Sequence, residues 1–300
     1  MSLDGRLEAA PPAGRLSELA VPSASLGEEV HGSVYEPPGL REVDRPLLVL
    51  LHGRGGTHDE WHPLLDLVDA LADPPVVLMP DAPWLGGASF YVDSLYAGNG
   101  TGESGRPVET ALAELIAATP ELLRVSGRRD RRTIGGISMG GAGALRLALA
   151  HPELAASALA LSPAVFVPEP PMESSIPAGG GYGLGTSLFD RRRYTDLSYP
   201  AALAAYPAHL PLKLFVASGD SEPAGPGRDG RALSLTDEGR ALAEAAATTP
   251  GIEVEHRVFA GGHDWGCGAR PSPPASPGSP PADRINSDKS HRSPVAVCPK

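Results

Sequence analysis

The chain has 300 residues, 41% of them hydrophobic and 20% charged, a balance that supports a folded core and excludes whole-chain disorder. Its 36 glycines and 33 prolines imply many loops and argue against a helical bundle. A net charge of −11 argues against a nucleic-acid binder, and no apolar run approaches the roughly 18 residues of a membrane span.

Two cysteines, Cys267 and Cys298, cannot make a disulfide framework. Residues 1–20 contain no uninterrupted apolar stretch of signal-peptide type, so the expected location is the cytoplasm. The same residues are rich in Ala, Pro and Gly and read as a loose lead-in to a domain expected over 21–268.

In chain order, the first strand-like stretch carries Val30, Val34 and Tyr35 and is stopped by Pro37, Pro38 and Gly39. Leu47 to Leu51 is a continuous apolar run ending in His52-Gly53, as expected of a strand buried on both faces. The pattern returns at Val76–Met79, Thr133–Ile134, Ala158–Leu161 and Leu212–Val216, and Ile252 to Phe259 alternates. Helical spacing lies between: Leu64, Leu67, Val68 and Leu71; Leu112, Leu115 and Ile116; Ala144, Leu145, Ala148 and Leu149; then Asp237 to Ala247. Alternating strands and helices predict an α/β fold, with a mostly parallel sheet and helices on both faces.

Two segments interrupt the rhythm. Residues 163–195 are too long for a plain connection and are expected to form a lid-like insertion. Residues 269–300 hold eight prolines and six serines and are expected to be a disordered tail. The tail has five basic and two acidic residues, so the body is more acidic than the whole, which disfavours polyanionic substrates.

Gly136-Ile137-Ser138-Met139-Gly140 is the chain's one G-x-S-x-G, and it stands between an expected strand and an expected helix. A serine at such a turn needs small neighbours, and the helix N-terminus sets backbone N–H groups beside the place where an oxyanion forms. A dinucleotide loop is disfavoured, because Gly141 and Gly143 lack a third glycine: position 146 is Arg146. In this context an acid and then a histidine follow the serine. His263 stands in a small-residue loop just past the last strand, whereas His256 lies inside that strand and His209 precedes the acid's strand. The acid belongs after Leu212–Ala217, where Asp220 and Glu222 both qualify. Backbone N–H groups of Arg54 and Met139 are the expected oxyanion donors, and His52 reads as structural. His58 and His62 have the i, i+4 spacing of zinc proteases, but Asp59 stands where those need glutamate, so no metal is expected.

Leu50-Leu51-His52-Gly53, Tyr91-Val92-Asp93-Ser94, Gly136 to Gly141 and Gly262-His263-Asp264-Trp265 together resemble the "putative esterase" family of α/β-hydrolases. Its members include S-formylglutathione hydrolases, feruloyl esterases, enterochelin esterases and mycolyl transferases. His151-Pro152-Glu153-Leu154 and Leu161-Ser162-Pro163 also fit, and the likeness covers about residues 21–266. It implies an α/β-hydrolase fold and a serine esterase acting on a small-molecule ester, without metal or organic cofactor. The family's acid stands three residues after a glycine, which favours Glu222 over Asp220. Two departures stand out. The family often has tryptophan where Phe90 or Tyr91 stands, and it usually ends in a closing helix where Cys267 to Arg270 here lead into the Pro/Ser tail. Acyl transfer to an alcohol would use the same residues. A non-catalytic binding protein of the same fold is the alternative from another class.

Overall fold

The computed structural model describes residues 13–39, 43–100, 102–171, 173–227 and 230–263. Eight strands form one sheet: β1 Arg15–Ser23, β2 Glu28–Glu36, β3 Leu47–Leu51, β4 Val76–Pro80, β5 Arg132–Ile137, β6 Ser157–Leu161, β7 Leu212–Gly219 and β8 Ile252–Phe259. Their order across the sheet is β1-β2-β4-β3-β5-β6-β7-β8. β1 and β2 are antiparallel, as are β2 and β4, and every other pairing is parallel. The helices are α1 Leu65–Asp69, α2 Val108–Leu123, α3 Met139–Ala150, α4 Arg191–Leu197, α5 Tyr199–Ala204 and α6 Leu235–Ala247, with a 3-10 turn over His58–Leu64.

β3 and β4 are apolar throughout and pack on both faces. In β3, Val49 and Leu51 join the cluster that contains Leu112 and Ile116 of α2, whereas Leu50 joins Trp61, Leu65 and Val68 on the other face. In β4, Val76 and Leu78 go one way and Val77 and Met79 the other, the two-residue period of a pleated strand. Farther along the sheet, α3 and α6 pack with β6 and β7 through Leu145, Ala160, Leu214 and Leu242. Buried Glu109 of α2 accepts from Arg146 Nε at 3.0 Å and lies 3.1 Å from His151 Nε2, tying α2 to α3. On the opposite face, beyond the 3-10 turn and α1, an open groove runs along Leu48, Leu159 and Phe215.

Two expectations are corrected. Residues 15–20 are not a loose lead-in but most of β1, so the ordered body begins before residue 21. β1 is an edge strand: Ser17, Leu19, Val21 and Ser23 are its less exposed positions, and Pro22 fits because an edge tolerates a missing donor. The Gly14 N–H also bonds the Tyr35 hydroxyl at 2.9 Å. The expected helix over Leu64–Leu71 shrinks to α1, with Leu67 and Leu71 exposed: a 3-10 turn holding Pro63 precedes it, and Leu71 N–H closes it with a 3-10 bond to Val68 O at 3.1 Å.

The 163–195 segment folds onto the body. Ser94 Oγ donates to Gly180 O at 2.6 Å and Val167 N–H to Glu238 Oε2 at 3.2 Å; within the segment, Tyr194 OH donates to Phe166 O at 2.8 Å and the Tyr182 ring packs edge-on to Tyr194. The tail, the two cysteines, Asp264 and Trp265 lie outside the described residues. Among the described residues no helix is long and apolar enough to cross a membrane.

Candidate active site

Ser138 stands between β5 and α3 with φ 56 and ψ −114, a left-handed backbone that a non-glycine residue holds at a cost of about 1–3 kcal/mol. The turn closes only with glycine at its flanks. A Cβ on Gly136 would overlap the Gly140 carbonyl, and one on Gly140 would overlap the Leu51 carbonyl and come within 2.7 Å of His52 O. The strained turn is pinned by Ser138 N–H to Leu161 O at 2.9 Å, Ala142 N–H to Ser138 O at 3.0 Å and Ala164 N–H to Ser138 O at 3.0 Å.

The other residues converge from the ends of β6, β7 and β8. Parallel pairing of β7 with β8 sets Gly219 beside Phe259, and two bonds continue the pairing past the strands: Asp220 N–H to Phe259 O at 2.8 Å and Ser221 N–H to Gly261 O at 2.9 Å. This zip carries His263 to Ser138, with Nε2 3.0 Å from Oγ, and to Glu222, with Nδ1 2.7 Å from Oε2. A carboxylate only accepts, so Nδ1 carries the ring proton and Nε2 turns a lone pair to the serine hydroxyl.

Glu222 has a fully buried side chain. Its Oε1 accepts from the Ser162 hydroxyl and from Gly219 N–H at 3.1 Å. Burial by itself would raise its pKa, but the hydrogen bonds from His263, Ser162 and Gly219 outweigh that and hold it below the ordinary glutamate value. The stability that its ionised form contributes is therefore present above that range and is lost only as pH falls through the lowered value.

Of the two acids left open by composition, Glu222 faces the histidine. Asp220 is exposed, and its Oδ1 accepts from Gly261 N–H at 3.1 Å and Ser221 Oγ at 2.9 Å, bracing the histidine loop.

Met139 opens α3, so its N–H is among the donors a helix start leaves free. In the facing loop, Gly53 N–H goes to Glu60 Oε2 at 2.6 Å, Gly55 N–H to Gly87 O and Gly56 N–H to Gly53 O. The Arg54 N–H has no partner among the described residues. His52 is buried and structural: Nε2 accepts from Ala82 N–H at 3.0 Å, so Nδ1 donates to Gly53 O at 2.8 Å. Tyr91 is buried against Gly143 with its hydroxyl on His52 O at 2.9 Å, and Phe90 is also buried; both work in the core.

The roles of Ser162, noted only as part of a family motif, and of Glu60 escaped the sequence reading, because each acts on a residue distant in the chain or on a backbone N–H. The signal at Ser162 was its place just past the end of β6, beside the serine's own strand.

The sequence profile of the family described as "Putative esterase" matches residues 23–267. Among solved structures, a ferulic acid esterase has a TM-score of 0.63 at 23% identity, covering 84% of this chain and 92% of its own. An S-formylglutathione hydrolase from Agrobacterium tumefaciens has a TM-score of 0.60 at 21% identity, covering 84% and 90%. The enterobactin esterase of Shigella flexneri has a TM-score of 0.56 at 21% identity, covering 85% of this chain and 57% of its own. These likenesses establish the α/β-hydrolase fold. Curated protein sequences contain no match.

Proposed function

The chain belongs to the "Putative esterase" family, and from that premise we propose that it is a serine carboxylic-ester hydrolase with Ser138, His263 and Glu222 as its triad. One observation carries the reading. Ser138 Oγ, both nitrogens of His263 and the Glu222 carboxylate form one continuous hydrogen-bonded chain that starts at a strained strand-to-helix turn.

In this reading Ser138 Oγ attacks the ester carbonyl as His263 Nε2 takes its proton. The carbonyl oxygen becomes an anion facing the N–H groups of Met139 and Arg54, aided by the N-terminal end of α3. His263 then gives the proton to the departing alkoxide, releasing an alcohol and leaving an acyl group on Ser138. A water molecule, deprotonated by the same nitrogen, cleaves the acyl-enzyme and restores the serine. Glu222 holds the Nδ1–H tautomer and stabilises the imidazolium of each transition state. Asp220 acts on loop geometry, outside the proton path.

The substrate class is a small-molecule carboxylic ester, with the 163–195 segment, joined to Ser138 through Ala164, as the wall of the cleft. A cytoplasmic setting fits a chain with only two cysteines.

A panel of p-nitrophenyl esters of increasing acyl length tests the function. Saturable release of p-nitrophenol, with a rate that changes systematically along the series, is the expected result. A rate equal to the buffer's for every ester contradicts it.

A further inference from the structure

A second group of side chains meets near the sheet edge, apart from the triad residues. The 3-10 turn His58–Leu64 carries His58, Asp59 and His62, and one ligand atom from each lies within 4.8 Å of the others. His58 Nε2 is 3.3 Å from Asp59 Oδ1, and His62 Nδ1 is 3.2 Å from the same oxygen. Glu18 of β1 brings Oε2 to 3.6 Å from His58 Nε2.

The second nitrogen of each ring is already held. His58 Nδ1 lies 2.9 Å from Asp81 Oδ2, and Asp81 Oδ1 accepts the His58 backbone N–H at 2.6 Å. His62 Nε2 lies 2.9 Å from the hydroxyl of fully buried Ser33. A ring nitrogen fixed by a carboxylate or hydroxyl, with the other aimed outward, is the way metal-bound histidines are oriented.

Asp81 takes the Nδ1–H of His58, and Nε2 faces the oxygens of Asp59 and Glu18, a place that a ring proton or a bound cation can fill. Three carboxylates around one ring favour a positive charge there. In a tetrahedral zinc shell with ligands at about 2.0–2.1 Å, adjacent ligand atoms stand about 3.3 Å apart. The separations of 3.3 and 3.2 Å from Asp59 Oδ1 to the two ring nitrogens match that edge.

We propose that His58 Nε2, His62 Nδ1 and Asp59 Oδ1 form a binding site for a zinc ion, with the exposed Glu18 carboxylate of β1, 3.6 Å from His58 Nε2, swinging in as the fourth ligand. Two imidazoles and two carboxylates suit zinc better than calcium or magnesium, which prefer all-oxygen shells. The imidazole side chains are 15% and 23% exposed and the carboxylate side chains 68% and 79%, so the site is anchored from below and open from above. Asp59, which spoils the zinc-protease pattern by standing where the base glutamate belongs, here serves as a ligand. The ion is structural: it clips β1 to the turn. Glu60 of that turn holds the Gly53 N–H, so the clip also braces the loop that presents Arg54.

The test is a zinc titration of the untagged, metal-free full chain against a chromogenic zinc chelator, followed by cobalt substitution. One equivalent should bind, and the cobalt form should show the intense visible bands of a tetrahedral site. Asp59→Asn, at an exposed position, should weaken zinc by about tenfold or more. His62→Gln should abolish the equivalent, with circular dichroism reporting the fold. His263→Ala should retain it. No equivalent in the wild-type chain overturns the proposal and leaves a proton shared by the cluster. An equivalent untouched by Asp59→Asn and His62→Gln, or lost in His263→Ala, overturns it by locating the metal elsewhere.

Discussion

Replacing Ser138 by alanine is expected to lower ester turnover by a factor on the order of 10⁶ while leaving the fold intact. The hydroxyl makes one side-chain bond, to His263 Nε2, and the backbone bonds that pin the turn do not involve it. Alanine keeps the Cβ and relieves no clash, so circular dichroism and the melting temperature should stay near the wild type. Steady-state assays on p-nitrophenyl acetate check the rate. More than a few per cent of wild-type activity in a preparation free of contaminating esterase would remove Ser138 from the role of nucleophile.

The acid should divide sharply between its two candidates. Glu222→Gln is expected to cost about 10⁴ in kcat. A glutamine amide can donate to Nδ1, which favours the wrong imidazole tautomer and turns an N–H toward the serine. It also places a neutral group where the imidazolium needs a counter-charge, in a pocket where Ser162 and Gly219 already donate. Asp220→Asn should cost less than about tenfold, because its Oδ1 can still accept from Gly261 and Ser221. Parallel kcat measurements on the two variants decide the matter. A larger loss at Asp220 would mean that the 219–223 turn rearranges when substrate binds.

These contrasts follow what could be read before the fold. β3, β4, β6 and β7 were visible because strands packed on both faces leave apolar runs, as Leu47–Leu51 does, and β8, an edge strand, showed by its alternation. β1 was not, because an edge strand needs only alternate apolar positions and accepts Pro22, so its composition looks like a loop. The helix over Leu64–Leu71 was read too long because leucine spacing alone does not register where the chain turns 3-10 at either end.

The same division runs through the site. Ser138 and His263 sit in local motifs, where the turn geometry demands small residues on either side. The choice between Asp220 and Glu222 depends on which carboxylate the end of β7 turns inward, and composition left it open; the family's spacing favoured Glu222, and in the fold that side chain faces His263. Ser162 acts on a carboxylate 60 residues away, a contact made only when β6 and β7 lie side by side. The cluster of Glu18, His58, Asp59 and His62 was half visible as a histidine pair, but its fourth member comes from the edge strand that composition concealed.

The most direct measurement of the central claim is covalent labelling with a fluorophosphonate, followed by peptide mass mapping. Such a reagent reacts with a serine whose hydroxyl is deprotonated by a neighbouring base, while oxyanion donors hold the reagent's phosphonyl oxygen. The expected result is one adduct per chain, on the peptide containing Ser138, formed in step with loss of esterase activity and absent from Ser138→Ala. An unlabelled chain that keeps its activity, or an adduct on any other residue, would contradict the assignment of Ser138, His263 and Glu222 as a working triad.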